Sequence, residues 1–251
     1  MEFVVPQAEP GLSIVLPAYN EEQNLEVMVA RCLEIIPQIT SMPFEVVAVN
    51  DGSSDQTGPR LDRLAARYPL VKAVHHPRNL GCGQALLTGF RHTRYQCIFY
   101  SDADLQFDLG DLKRFLPYVE EYDLILGYRL VRQDPWHRRL YAYSWNRLLY
   151  MLFNLNVRDI NCGFRLIKRE LLAPMEIESM GAMFFAEFLI KAMAGGAKYV
   201  EVGVNHYPRC SGQPTGGQLR VVARAFKEMA RFFWRWHCTD GKLQKKSVQL
   251  A

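Results

Sequence analysis

The residues best equipped for chemistry are acidic groups that fall just after apolar runs. Asp102-Ala103-Asp104 follows directly on the run Cys97–Tyr100. Two carboxylates two residues apart, where the chain begins to turn, can reach one hard divalent cation. Oxygen ligands suit Mg2+ or Mn2+, and such an ion can bridge a diphosphate. Gln106 adds another oxygen on the same turn. A lone Asp-x-Asp also reads as a solvated acidic turn, and its place after a central strand is what favours the metal. A second acid, Asp51, stands in Asn50-Asp51-Gly52-Ser53-Ser54-Asp55. There it can accept hydrogen bonds from ribose hydroxyls or a base edge, while Gly52 lets the chain turn sharply. Asp55 is assigned to capping the helix that follows. Asn79-Leu80-Gly81-Cys82-Gly83 precedes a further helix and could turn backbone N–H groups toward phosphate. It lacks the Walker A lysine and the full dinucleotide fingerprint, so P-loop NTPases and Rossmann dehydrogenases are disfavoured.

These clusters need elements to carry them. Apolar runs at Ser13–Leu16, Glu45–Val49, Val71–Val74, Cys97–Tyr100 and Leu124–Leu126 predict strands. Helical spacing lies between them: Leu25 to Ile36, Leu61 to Ala65, Gln84 to Thr93, and Leu112 to Val119. Strand–helix–strand alternation of this kind implies an α/β fold, a mainly parallel sheet with helices on both faces. Ligands on such sheets sit outside the carboxyl ends of the strands, which is where the polar clusters fall. The second half predicts a helix from about Leu140 to Asn156, a turn over Asp159–Arg165 and a helix near Met183–Met193. A strand at Tyr199–Val204, a Gly/Pro loop to Gln218 and a helix from Leu219 to about Trp236 complete it. The expected division is 1–218 as the main domain and 219–251 as a basic amphipathic helix with a polar tail.

Composition excludes several classes. The 251 residues are 49% hydrophobic and 22% charged, the range of an ordinary globular protein rather than a collagen, a disordered chain or a disulfide scaffold. Six scattered cysteines without a Cys-x-x-Cys pair suggest reduced thiols in a cytosolic compartment. The first twelve residues lack the basic start and apolar run of a secretory signal. No stretch reaches the ~20 apolar residues needed to span a bilayer. The formal net charge of +4 is mild but unevenly spread. Five arginines against Asp134 lie between Tyr128 and Arg147, and eight basic residues against Glu228 and Asp240 lie between Arg220 and Lys246. The rest of the chain is net acidic. Nothing in this pattern calls for a nucleic acid.

Taken together, SIVLPAYNEEQNL at 13–25, VNDGSSDQT at 49–57, NLGCG at 79–83 and DADLQF at 102–107 resemble family 2 glycosyltransferases of the GT-A fold. GYR at 127–129, PWHRRL at 135–140, DINCGFRL at 159–166 and EVGVNHYPRCSGQPTGG at 201–217 are similar to one branch of it. That branch contains dolichyl-phosphate mannose synthase and bacterial polyprenyl-phosphate glycosyltransferases. The resemblance implies that Pro17, Tyr19, Glu21 and Asp51 hold the nucleoside, with Asp102 and Ala103 near the ribose or the metal. It assigns Asp104 and Gln106 to the cation, Arg129 and one of Arg138 or Arg139 to the acceptor phosphate, and Arg209 to the donor diphosphate. Bidentate guanidinium groups suit a reaction that brings a sugar diphosphate and a phosphate monoester into one cleft. Two departures stand out: Ala142 replaces a serine of the acceptor motif, and no run here matches the C-terminal membrane helices common in the mannose synthases.

The expected activity is therefore inverting transfer of a sugar from a nucleotide diphosphate-sugar, GDP-mannose or a UDP-sugar, to a polyprenyl phosphate. It would need Mg2+ or Mn2+ and would occur at the cytosolic membrane face. An acceptor phosphate is already ionised, so no strong base is required. A sugar hydroxyl acceptor, soluble or on a glycan, would require one, with Asp159 and Glu187 as candidates. Their alternative role is to orient Arg165 or cap nearby turns. A silent nucleotide-sugar-binding module would have lost Asp104 or the basic cleft. In the last helix Arg220, Arg224, Lys227, Arg231 and Arg235 form a basic stripe beside Val222, Phe226, Met229, Phe233 and Trp236. Such a helix can lie in a membrane interface or pack on the domain, and the aromatic Leu140–Leu155 segment presents the same choice. A homo-oligomer or a membrane-protein partner is left open.

Overall fold

The computed structural model describes residues 8–131, 136–172, 175–181, 183–209 and 219–240. Seven strands form one sheet in the order β3-β2-β1-β4-β6-β5-β7. They are β1 Glu9–Ala18, β2 Phe44–Asn50, β3 Val71–His75, β4 Tyr95–Ser101, β5 Leu124–Arg129, β6 Phe164–Lys168 and β7 Tyr199–Val204. β1 runs parallel to β2 and β4, β2 to β3, and β5 to β7, while β6 is antiparallel to both β4 and β5. Alternate β1 residues serve opposite faces, as a strand requires. Leu12, Ile14 and Leu16 join one core cluster and Val15 the other.

Among the described residues six α-helices cover the faces: α1 Leu25–Ile39, α2 Thr57–Arg67, α3 Cys82–His92, α4 Trp136–Phe153, α5 Phe184–Ala194 and α6 Leu219–Arg235. α1 and α2 bury Leu25, Met28, Val29 and Leu61 against one face. On the other, α3 contributes Leu86 and Phe90, α5 Phe188 and Leu189, and α6 Met229 and Phe232. The α/β expectation holds, with helices on both faces.

Two elements differ from the sequence reading. The helix expected over Leu112 to Val119 is a pair of 3-10 turns, Leu109–Arg114 and Leu116–Tyr118. Pro117 has no N–H to give to Lys113 O and its ring crowds that carbonyl, which breaks the ladder mid-segment, whereas α1 carries Pro37 only in its last turn. The segment read as a turn through Arg165 already becomes β6 at Phe164. All five of its residues pair with β4 and three, Arg165 to Ile167, also pair with β5, and Phe164, Leu166 and Ile167 are all buried. A short apolar stretch buried on both faces shows no alternation to read.

Candidate functional site

The carboxyl ends of β1, β2, β4 and β5 share one rim, and the chain segments leaving them interlock. Asn20 takes a positive φ of 55°, donates its N–H to Ser53 Oγ at 2.9 Å and accepts from Ser54 N at 2.9 Å. Glu21 N donates to Thr57 Oγ1, and Glu22 N to Asp55 Oδ2. Asp55 also accepts at 2.9 Å from the N–H of Thr57, the first residue of α2. It does so from one position before the N-cap, which is Gln56 and makes no side-chain cap bond. Gly52 has φ +65°, and a Cβ there would lie 2.1 Å from the backbone of Arg78, so both turn and close approach require glycine. Asp51 is buried. Its Oδ1 faces His76 Nδ1 at 2.7 Å and accepts from Leu80 N at 2.9 Å, and its Oδ2 accepts from Gly81 N at 2.9 Å. Asp51 thus ties the 79–81 loop to the tip of β2.

Beyond β4 the chain presents Asp102 and Asp104. Asp102 N donates to Gly163 O at 3.2 Å, and a Cβ on Gly163 would sit 2.1 Å from Asp102 Oδ2. The glycine of the 159–166 motif therefore makes room for the first carboxylate. Asp104 is 8% exposed, and Leu105 beside it adopts φ 62° to turn the chain. Ala103, between the two acids, is buried in a core cluster. Gln106 braces the chain after β7: its Nε2 donates to Tyr207 O at 3.0 Å, and its carbonyl accepts from Tyr207 N at 2.8 Å. That brace brings Arg209 over the acids. Arg209 pairs with Glu21 and lies 3.8 Å from Asp104 Oδ2.

Charge is unbalanced in this cluster. Burial, then the charge of Asp104, pushes Asp102 up to about 7, against the pull of Arg129 and Arg209. Burial likewise raises Asp104, with Arg209 opposing it, and raises Glu21, with Asn24 and Arg209 opposing it. Among the described residues no three His, Cys, Asp or Glu side chains form a metal cage. Two crowded carboxylates with all-oxygen donors fit one hard cation whose other ligands come from a bound molecule.

Arg129, at the end of β5, is held by Asp159 in a two-point pair, Nε to Oδ2 at 2.7 Å and an Nη to Oδ1 at 2.8 Å. Asp159 therefore orients Arg129 and not Arg165, contrary to expectation. Arg165, fully buried, donates to Ile160 O and lies with its guanidinium carbon 4.7 Å from the Phe185 ring centre. Glu187, also fully buried, accepts from Glu178 N at 3.1 Å, Ser179 N at 2.9 Å and Lys191 Nζ at 2.7 Å, which is the turn-capping alternative. Pro17 is half-buried at the end of β1, with Tyr19 exposed just beyond it. Arg139 is exposed near the start of α4, and the Arg138 side chain lies outside the described residues.

Residues 13–174 match the family model for Glycosyl transferase family 2. The chain is a family 2 glycosyltransferase. It is 30% identical over 231 residues to an undecaprenyl-phosphate mannosyltransferase of Micrococcus luteus, covering 87% of this chain and 92% of that protein. It is 29% identical over 233 residues to glycosyltransferase AglD of Haloferax volcanii; that match takes in 89% of this chain but only 37% of the longer relative. Among solved structures, glucosyl-3-phosphoglycerate synthase from Mycobacterium tuberculosis, crystallised with Mn2+, UDP and phosphoglyceric acid, superposes with a TM-score of 0.63 at 21% identity. It covers 87% of this chain and 78% of the solved one. The fold of this glycosyltransferase is accordingly GT-A.

Three contacts of the transferase site leave no local signal in the sequence. Gly163 has no chemistry of its own, and only the contact with Asp102 reveals it. The partner of Asp159, Arg129, lies thirty residues back, joined to it through β6. Asn24, whose Nδ2 donates to Glu21 Oε2 at 2.6 Å, is an ordinary amide until the fold sets it beside that carboxylate.

Proposed function

We propose that this glycosyltransferase moves a sugar, with inversion, from a nucleotide diphosphate-sugar to a polyprenyl phosphate at a membrane surface. The observation that carries the reading is the pairing of an arginine-lined rim with the engagement of both candidate bases. Asp159 is committed to Arg129, and Glu187 to two backbone N–H groups and Lys191. A carboxylate held by a guanidinium on two sides is a poor proton acceptor. An ionised phosphate acceptor needs none. The undecaprenyl-phosphate acceptor named for the Micrococcus luteus relative supports the same choice.

In this reading Pro17, Tyr19, Glu21 and the rim around Asp51 receive the nucleoside, GDP or UDP. Asp102 and Asp104, with the Gln106 turn, hold Mg2+ or Mn2+, a choice supported by the Mn2+ and UDP of the solved relative. The cation, when bound, neutralises charge that develops on the leaving diphosphate. Arg129 binds the acceptor phosphate with help from Arg138 or Arg139, and Arg209 moves from Glu21 and Asp104 to the donor diphosphate. The acceptor oxygen forms the new bond at the anomeric carbon as the bond to the diphosphate breaks on the opposite side.

The lipid acceptor requires a surface to work on. No helix among the described residues is long and apolar enough to cross a membrane. α4 and α6 instead pack side by side, Trp145 against Phe226 and Phe153 against Phe233. Between them they expose Leu140, Tyr143, Met151, Val222 and Phe226. This supports peripheral seating on the cytosolic leaflet.

The test is to incubate purified protein with Mn2+, labelled nucleotide sugars and a short-chain polyprenyl phosphate. A labelled lipid that forms, and is lost with Asp104→Ala, is expected. Donor hydrolysis alone, or transfer only to a hydroxyl acceptor, would overturn the assignment.

A further inference from the structure

The loop 79–83 is gripped from two sides. On one, Asp51 takes the N–H groups of Leu80 and Gly81. On the other, Met180 O accepts from Gly83 N at 3.2 Å. The approach there is so close that a Cβ on Gly81 or Gly83 would fall 2.8 or 2.9 Å from that same carbonyl oxygen. Met180 belongs to the segment 175–181, which has little secondary structure of its own and is fixed from outside. Glu187 of α5 holds its middle, at Glu178 N and Ser179 N. Its end is held by Glu228 of α6, whose Oε2 accepts from Gly181 N at 3.2 Å. A Cβ on Gly181 would lie 2.9 Å from that oxygen, so this contact too is built for closeness. Arg224, one turn earlier on α6, donates to the other carboxylate oxygen at 2.9 Å.

These contacts join the helix with the exposed apolar stripe to the loop at the head of the donor cleft. We propose that Glu228 is a positioning residue for donor binding. Through Gly181 and Met180 it sets the place of the 79–83 loop, and it makes that loop responsive to what α6 touches. The inference rests on the donor reading above. Seating α6 on a lipid surface orders Glu228, and with it the loop, before the nucleotide arrives, so less ordering is left for binding to supply. By linkage, nucleotide must strengthen lipid binding by the same factor.

The experiment measures Kd for UDP and for GDP, each with Mn2+, by calorimetry on the full chain. It is run with and without vesicles of phosphatidylcholine and phosphatidylglycerol, on wild type, Glu228→Ala and Glu228→Gln. Loss of one hydrogen bond predicts about a three- to ten-fold weaker Kd in Glu228→Ala, together with loss of the tightening by vesicles that wild type shows. Glu228→Gln keeps an acceptor for Gly181 N and should bind like wild type, which assigns the effect to that acceptor and not to the carboxylate charge. Wild-type affinity in Glu228→Ala, or equal weakness in both variants, overturns the proposal while leaving the donor reading standing. Failure of wild type to bind either nucleotide overturns the donor reading and this inference with it.

Discussion

At Asp102, burial and the neighbouring Asp104 raise the carboxyl to about 7. Between the ordinary carboxylate range and that value the native protein holds a proton that the unfolded chain has lost. The unfolded state then binds fewer protons, so stability falls as pH rises across this window. Metal-free protein should therefore melt at lower temperature at pH 8 than at pH 5, and Asp102→Asn should flatten the difference. A melting series that leaves the slope unchanged in Asp102→Asn would place the effect elsewhere. Metal binding requires the deprotonated form, so Mn2+ affinity should weaken as pH drops below about 7. Asp159 makes a separate case. Removing its charge frees Arg129 from a two-point pair worth roughly 1.5–3 kcal/mol per charged hydrogen bond. Asp159→Asn should raise the KM for the polyprenyl phosphate at least about tenfold while leaving the alkaline and acid limbs of the pH–rate profile in place. Loss of a limb with KM unchanged would make Asp159 a base after all.

At the scale of elements, α4 and α6 each divide into a face that packs and a face that does not. Ala225, Met229 and Phe232 bury toward the core, whereas Val222 and Phe226 stay exposed. Leu140 and Tyr143 of α4, at 52% and 70% exposure, lie mostly outside the packed core. The double variant Leu140→Ser/Tyr143→Ser should keep the wild-type melting temperature and bind vesicles roughly tenfold less per apolar side chain removed from the lipid. Flotation with anionic vesicles measures this, and undiminished binding would remove α4 from the interface. The split of α6 was legible in sequence, because its basic and apolar residues recur every three or four positions. The strands before Asp51 and Asp102 were legible for a similar reason: Val and Ile runs end abruptly in Asp, Gly and Ser. β6 and the 3-10 pair were not, since the first alternates nothing and the second is set by one proline. The acids of the site could be read from local spacing. Their counter-charges could not, because Arg129 meets Asp159 and Arg209 meets Glu21 only after the sheet is assembled.

Across the whole molecule the mild net charge of +4 resolves into opposed regions. The rim holds Glu21, Asp51, Asp102 and Asp104, with Arg129 and Arg209 as its cations, while Arg224, Lys227, Arg231 and Arg235 line one side of α6. A free diphosphate would be repelled by the acids without a divalent cation and attracted once one is bound, which couples donor entry to metal. An anionic leaflet would be drawn to α6 at ranges of about a Debye length, ~10 Å at 0.1 M salt. The two attractions have different salt dependence. Exposed lysines and arginines are screened, whereas apolar side chains in the acyl boundary are not. Vesicle binding should therefore fall steeply between 0.05 and 0.5 M NaCl (the range over which screening shortens from about 14 to about 4 Å) and level off at a residual affinity. Replacing phosphatidylglycerol by phosphatidylcholine should leave only that residual affinity, and Lys227→Gln/Arg231→Gln, which removes two of the four cations, should lower low-salt binding part of the way to it. Co-sedimentation across the series measures all three. Binding that ignores salt and headgroup charge would mean that the basic side of α6 faces water, and the lipid contact would then rest on its aromatic stripe alone.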